Sequence, residues 1–446
     1  MAKDQVAIIN KQYIRIKELE TKLNQNSKNS HLPPSKDSYQ VKAAFKKEPG
    51  GKIGGQSNHT GKTLEMVKSP DHIILHANKR CKCGFDLTQQ IQKIKDRRQV
   101  FDIPQKIHME SSEHQTMSCV CPQCNYENLT EFPREAQAPI QYGSRIKALI
   151  TLLNIDYKLP LNKISRLCKD LFSIPLNEAT IINTTRQASS YLVSFEDKLR
   201  IALRKMPLLH ADETGTVAGG HLQWTHVNST SKLTLLHIEE KRGIEGIMSE
   251  RSALLNYKGK IVHDFMKSYW DIPDVVHVCC GSHIIRELEA QQEDGRKWAE
   301  KMKKMILTLL KASTRTNKKH RQGIYIQFGK ILHQGKEEEP EPVRNGTRGR
   351  LKKSKGLNLI ERLLKNRESV LGYAFDKNIP FTNNQAERDL RCLKVKLKIA
   401  GCFRSTQGAA IFNRITSFTS SLRKNAYNAY ENLILLFSGY QFSIRT

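Results

Sequence analysis

Three carboxylates in this chain have the spacing and surroundings to do metal-assisted chemistry on a polyanion: Asp212, Asp264 and Glu387. Glu387 lies in TNNQAERDLRCLKVKLKIAGCFRS, residues 382–405. At helical spacing it shares a stripe with Arg391, Lys394 and Lys398, beside an apolar stripe of Ala386, Leu390, Leu393, Leu397 and Ala400. One acid on a basic face is ordinarily a solvated ion pair worth about 0 to 1 kcal/mol. Its meaning changes if other acids converge on it. Hydrolysis of a phosphodiester needs an activated water and neutralised attacking and leaving oxygens. Two divalent cations held by carboxylates from separate elements supply both, and hard Mg²⁺ or Mn²⁺ prefers such oxygen donors. Asp212 closes the run MPLLHADET, in which Met206–His210 reads as a buried strand. Asp264 follows the strand-like YKGKIVH; Asp271 and Asp274 are its rivals but fall in a WDIPD turn. Glu213 reads as a neighbour of the site and not as a ligand.

The elements that must position these acids follow from the pattern. HLQWTHVNS and KLTLLHIEE continue from the first strand as a meander, and the Asp264 strand and DVVHVCC supply a fourth and fifth strand with a helix behind. Three meandering strands followed by alternating helix and strand describe an α/β mixed sheet flanked by helices, an order that resembles the ribonuclease-H-like fold. In that order the first and fourth strands are neighbours, so Asp212 and Asp264 can share a site, and a helix packed across the sheet would bring Glu387. The predicted core runs over 201–294, is interrupted by a basic helical insertion over 295–375 with a disordered-looking patch, QGKEEEPEPVRNGTRGRLKKSKG, and resumes over 376–446.

Four further segments precede the core. Residues 1–26 carry Val6, Ile9, Tyr13, Ile16, Glu20 and Leu23 at heptad-like steps, a short coiled coil or an amphipathic helix packed on its own protein. Residues 27–65 read as a basic flexible linker. Residues 66–135 hold Cys81 and Cys83, then Cys121 and Cys124, with the β-like RRQVFDI between. Four thiolates from two knuckles would make a closed structural Zn²⁺ site, although C-x-C is a poorer knuckle than C-x-x-C. Free or degenerate cysteines are the alternative. Residues 136–200 read as three helices, the last beginning at Leu176–Asn177; this is a helix-turn-helix reader with Asn177, Thr180 and Arg186 exposed, or an ordinary three-helix bundle.

Composition agrees with a polyanionic partner. The 446 residues hold 73 Lys and Arg against 44 Asp and Glu, a net charge of +29, which points to a polyanion, nucleic acid being the commonest and a membrane surface the alternative. No apolar run is long enough to span a membrane and no signal core opens the chain, so a cytoplasmic location with access to the nucleoid is expected. Arg388, Arg391, Lys394, Lys398 and Arg404 would grip phosphates beside the acids, with His283 and Arg286 after the fifth strand as further contacts. Metal binding by His277, Cys279, Cys280 and His283 together is disfavoured, because strand alternation sends the two cysteines to opposite faces.

The HADET segment, the HDFMKSY segment, CCGSHIIREL and above all TNNQAERDLRCLKVKLKIAGCFRS resemble the transposases of the insertion-sequence sixty-six family. NSKNSHLPPSKDS, the glycine-rich linker, the cysteine knuckles and YGSRIKALITLL extend the resemblance over nearly the whole chain. It implies DDE catalysis with Asp212, Asp264 and Glu387 in the motif positions, and a leucine-zipper, zinc-finger and helix-turn-helix front end. It further implies a homo-oligomer on double-stranded DNA and accessory proteins from the same element. The first knuckle departs from the family pattern. A transposase-derived binding protein without catalysis, or a nuclease on the same fold, are the rival readings.

Overall fold

The structure is a computed structural model that describes residues 12, 16, 19, 20, 65–103, 109–133, 136–312, 318–342, 351 and 353–444. Of the heptad positions only Ile16 and Glu20 fall within that set; both are helical and exposed, and the rest of 1–26 and nearly all of the 27–65 linker lie outside it. The chain divides into two compact units, Tyr39–Met109 and Met1–Ser38 with Glu110–Thr446.

In the Tyr39–Met109 unit the described chain is held by side-chain amides in place of regular elements. Gln92 pins Asn78 through two 2.8 Å bonds, and Gln99 does the same for Val67. RRQVFDI forms no strand here; its apolar side chains Val100, Phe101 and Ile103 are exposed, so it lacks the half-buried surface that makes alternation into a strand.

The larger unit begins with a small hairpin, β1 (Ser118–Val120) and β2 (Glu127–Leu129). Three helices follow: α1 (Ser144–Ile155), α2 (Leu161–Phe172) and α3 (Glu178–Tyr191). They close on Ile150, Ile164, Cys168, Ile174, Leu176 and Ile181. Ser173 ends α2 in the left-handed region, and Asn177 caps α3 by accepting from the Thr180 N–H. Helix α4 (Val193–Arg204) leads into the sheet.

Strands β3 (Leu208–Ala218), β4 (His221–Ser229), β5 (Thr234–Glu239), β6 (Lys260–His263) and β7 (Val276–Cys279) form one mixed sheet in the order β5-β4-β3-β6-β7. The first three are an antiparallel meander; β6 and β7 run parallel to β3. Between β5 and β6 the chain makes only a short helix, α5 (Ile244–Ile247), and turns. The expected mixed sheet and its β3–β6 neighbourhood are therefore present.

Helices α6 (Gly281–Glu293), α7 (Lys297–Lys311), α8 (Lys318–Glu338), α9 (Lys355–Lys365) and α10 (Arg367–Phe375) follow β7. They share a core of Trp298, Met302, Phe328, Leu332, Ile360 and Leu363 with Cys279 and Leu288, so the basic insertion is packed onto the β7 side of the sheet. Its disordered-looking patch needs correction at both ends. Gln334–Glu338 belong to α8, and buried Glu339 joins Arg296 at 2.7 Å and Ser354 at 2.5 Å. A carboxylate pinned in this way gives a charged, Pro-containing stretch an anchor that its composition hides. Finally α11 (Asn384–Ala400) and α12 (Thr406–Lys424) return to the sheet, and α13 (Ala429–Phe437) packs against α1. Helix α11 ends where Gly401 takes φ 75°.

Candidate active site at the strand ends

Parallel pairing of β3 with β6 stops early. Leu208, Leu209 and His210 face Lys260, Ile261 and Val262, whereas β3 continues to Ala218 paired with β4, with a single bridge from Ala218 to Phe403 at its far end. Asp212 is therefore not at a strand end, as expected from the sequence, but within a long strand at the point where its parallel neighbour leaves. Carrying the β3–β6 register on by two residues sets Asp212 level with Asp264. Carrying the β6–β7 register on by one sets Asp264 level with Cys280. By that continued register Asp212, within β3, and Asp264 and Cys280, each one residue past the end of β6 and β7, fall in a row on one level of the sheet, whose strands lie about 4.8 Å apart. The meander runs away from this point in one direction and β6–β7 in the other. Such a reversal opens a crevice at the carboxyl ends of parallel strands.

Burial pushes the Asp212 carboxyl well above the usual carboxylate range, and the charges of Glu213 and Asp264 push the same way. The Glu213 N–H donated to Asp212 Oδ1 at 2.9 Å and the Lys394 ammonium offset part of this. Asp264 Oδ1 accepts from the Met266 N–H at 2.8 Å, which shapes the turn leaving β6. Its rivals Asp271 and Asp274 are exposed.

Glu213 alternates to the opposite face of β3 from Asp212. There it accepts from Arg242 at 3.0 Å and from the Tyr269 hydroxyl at 2.8 Å. Burial is the main reason its carboxyl is raised, with Asp264 adding to it. Sequence reading ended the buried strand at His210; β3 runs on through Asp212 and Glu213 and sends their side chains to opposite faces.

Helix α11 covers the Asp212 face. Ala386 and Leu390 pack on Val227 and Leu236, and Val227 is the register partner of Asp212. The helix is set by Asn383, which the sequence reading did not single out. Its side-chain amide donates to Ala211 O at 2.7 Å, its Oδ1 meets His210 Nδ1 at 2.9 Å, and its own N–H donates to Cys280 Sγ at 3.1 Å. One residue ties α11 to both β3 and the end of β7. A polar residue preceding an acid-bearing helix was the available signal, but its partners are all distant in sequence.

One turn later, Glu387 stands beside Cys280 and His283, with one donor atom from each of the three within 4.8 Å of the others. This is the only such group of three potential ligands among the described residues, and the two aspartates are not members. Glu387 Oε1 is buried and has no hydrogen-bond partner. The structure therefore brings Asp212 and Asp264 together and sets Glu387 at the Cys280 end of the same row. Cys279 faces away into the insertion core, as alternation requires.

Arg388, Arg391, Lys394, Lys398 and Arg404 are exposed, and Arg286 is half-buried on α6. Asn177 is exposed and Thr180 half-buried, and the two bond each other at the start of α3. Asn177 Oδ1 takes both the N–H and the hydroxyl of Thr180 at 2.8 Å, because a helix start leaves backbone donors that this side chain satisfies. Arg186 is exposed and its guanidinium leans on Asn183 at 3.2 Å.

Cys81 and Cys83 lie in the Tyr39–Met109 unit, Cys121 and Cys124 in the larger one. Each pair occupies a tight turn whose amides address sulfur. The Cys83 N–H lowers the Cys81 thiol, and those of Gln123 and Cys124 lower Cys121. No described helix is long and apolar enough to cross a membrane.

Residues 139–411 match the family described as Transposase IS66 family, and residues 4–65 match a family of unknown function, DUF6444. No curated protein matches the chain.

Proposed function

The chain belongs to the IS66 transposase family, and we propose that Asp212, Asp264 and Glu387 are the acids with which it cuts DNA at element ends and joins the freed 3′-hydroxyl strand to target DNA. The observation that carries this reading is the β3–β6 register, which continued by two residues brings Asp212 level with Asp264 at a strand-order reversal, together with the Asp264 charge acting on the Asp212 carboxyl. The β5-β4-β3-β6-β7 order supports a ribonuclease-H-like core.

The donor set fits a hard divalent cation. Two carboxylates side by side, one of them raised by burial and by its neighbours' charge, are oxygen ligands whose repulsion such a cation relieves. When bound, Mg²⁺ or Mn²⁺ supplies activation of water and neutralises the attacking and leaving oxygens. The protein's own contribution is position. Strand β3 fixes Asp212, the Met266 N–H orients Asp264, and Asn383 fixes the helix that carries Glu387. Arg391, Lys394 and Lys398 follow Glu387 on one stripe and offer exposed cations along which a phosphate backbone can lie. Zn²⁺ binding by each cysteine knuckle within its own unit belongs to the same proposal, supported by the amide-lined turns around Cys81 and around Cys121.

The test is purified protein with Mg²⁺ and a labelled element end. Joined product is expected. Cut product alone would identify a nuclease, and a retarded, intact band a binding protein. Asp212→Asn should abolish cutting and spare binding; cutting that survives this change would show that the site lies elsewhere.

A further inference from the structure

We propose that Cys280, His283 and Glu387 form a second metal site, for a thiophilic divalent cation of the Zn²⁺ or Cd²⁺ class, that shares Glu387 with the acid row. Three observations carry it. The donor atoms converge from two elements: the first turn of α6, where Cys280 precedes Gly281 and His283 follows at a C-x-x-H spacing, and the first turn of α11. Glu387 Oε1 is buried and takes no hydrogen bond. The Cys280 sulfur already accepts the Asn383 N–H at 3.1 Å, and the N–H groups of His283 and Ser282 also address it. Amide bonds of this kind hold a metal-bound thiolate in place.

The chemistry separates this site from the aspartates. Sulfur is a poor ligand for Mg²⁺ and a good one for Zn²⁺, and imidazole suits Zn²⁺ as well. Thiolate, neutral imidazole and carboxylate together carry two negative charges, which a divalent cation cancels. Three protein ligands leave a fourth tetrahedral position open. Glu387 already stands at Cys280 and not with the aspartates, so a cation held here would keep it there and restrain the acid row.

The full-length protein is titrated with Cd²⁺ in the absence of DNA while thiolate-to-metal charge-transfer absorption is followed. Because the knuckle cysteines also bind Cd²⁺, the readout is the difference between wild type and Cys280→Ser. Wild type should bind one more equivalent with charge-transfer intensity than Cys280→Ser, and Zn²⁺ should displace it where excess Mg²⁺ does not. Glu387→Gln and His283→Asn should weaken that equivalent by at least about 10-fold, the scale on which even outer-layer partners of metal ligands act. These two also serve if Cys280→Ser fails to fold by circular dichroism. Superimposable titrations of wild type and the variants overturn the proposal. The measurement involves neither DNA nor cleavage, so its failure leaves the catalytic reading standing, and surviving cleavage in Asp212→Asn would leave this site standing.

Discussion

Asn383→Ala isolates the device that places Glu387. Asn383 is 1 % exposed and makes two side-chain hydrogen bonds, to Ala211 O at 2.7 Å and His210 Nδ1 at 2.9 Å. Truncation strands a strand carbonyl and a buried ring nitrogen. Each orphaned buried group costs about 1–3 kcal/mol, so the loss of stability should be roughly 2–6 kcal/mol. Urea unfolding should show it as a lower midpoint with an unchanged slope. The Glu387 N–H bonds Asn383 O at 3.3 Å, so the acid sits one turn from the anchor. A shift of about 1 Å at a reacting group costs on the order of 100-fold in rate, and cleavage by the folded fraction should fall by about that much. Asn384→Ala is the control: Asn384 is exposed, and its change should stay within about 0.5 kcal/mol. If Asn383→Ala matched that control in both midpoint and cleavage rate, Asn383 would not be what holds Glu387 against β3.

Other outcomes follow from the same structure. His226 is buried against stacked His237, and burial first, His237 second, lower its pKa from the ordinary 6.5 to about 4. The unfolded chain then binds a proton that the native state refuses, so stability should be full above pH 6.5, fall by roughly 3 kcal/mol as pH drops to about 4, and level off below. Urea midpoints across that range should show a shallower slope in His226→Gln. A Cβ on Gly281 would lie 2.2 Å from Phe381 Cε2, so Gly281→Ala should lower stability by about 1–3 kcal/mol and slow cleavage, since Phe381 leads into Asn383; an unchanged urea midpoint would mean the ring moves aside freely. Arg391→Ala with Lys398→Ala should reduce the log–log salt slope of binding to duplex DNA by roughly 2, about 0.9 for each phosphate that is no longer neutralised. An unchanged slope would take that stripe off the DNA.

Much of the core could be read from the chain because its signals are local. The strands from Leu208 to Glu239 are runs of apolar and polar β-prone residues separated by short turns, and the strands that end just before Asp264 and Cys280 are short apolar runs bounded by turns. The Glu387 stripe could be read because helical periodicity is local as well. What stayed hidden is set by distant partners. That Asp212 lies inside a strand depends on β4 pairing on past the point where β6 stops, and no residue near Asp212 encodes it. Asn383 looks like any polar helix start until His210, Ala211 and Cys280 are brought to it. That Asn177 and Thr180 cap α3 was not legible either, because a cap bond and a base contact ask for the same residue types. Glu339 is a buried anchor inside a charge-rich stretch for the same reason: its partners Arg296 and Ser354 are both far off in sequence or beyond an intervening segment.

Helix α11 shows why polar pins, and not apolar packing, must fix the acid. Only Ala386, Leu390 and Leu393 are buried along its 17 residues, a stripe too thin to resist rotation by packing alone. Rotation is restrained by two polar anchors on either side of Glu387. Before it stands Asn383. After it stands Asp389, whose carboxylate meets Lys424 at 2.7 Å with side-chain exposures of 7 % and 13 %. Lys424 also donates to Thr230 O and Leu233 O, so the pair ties α11 through α12 to the β4–β5 turn. Breaking a buried pair by removing one partner costs about 3–5 kcal/mol, whereas an apolar replacement of both is often near neutral. Stability alone therefore does not require this pair. What an apolar pair could not supply is direction: a charge aimed at two carbonyls and a carboxylate permits one rotation of α11, the one that leaves Glu387 on the sheet side and its cations exposed to the backbone of a polyanion.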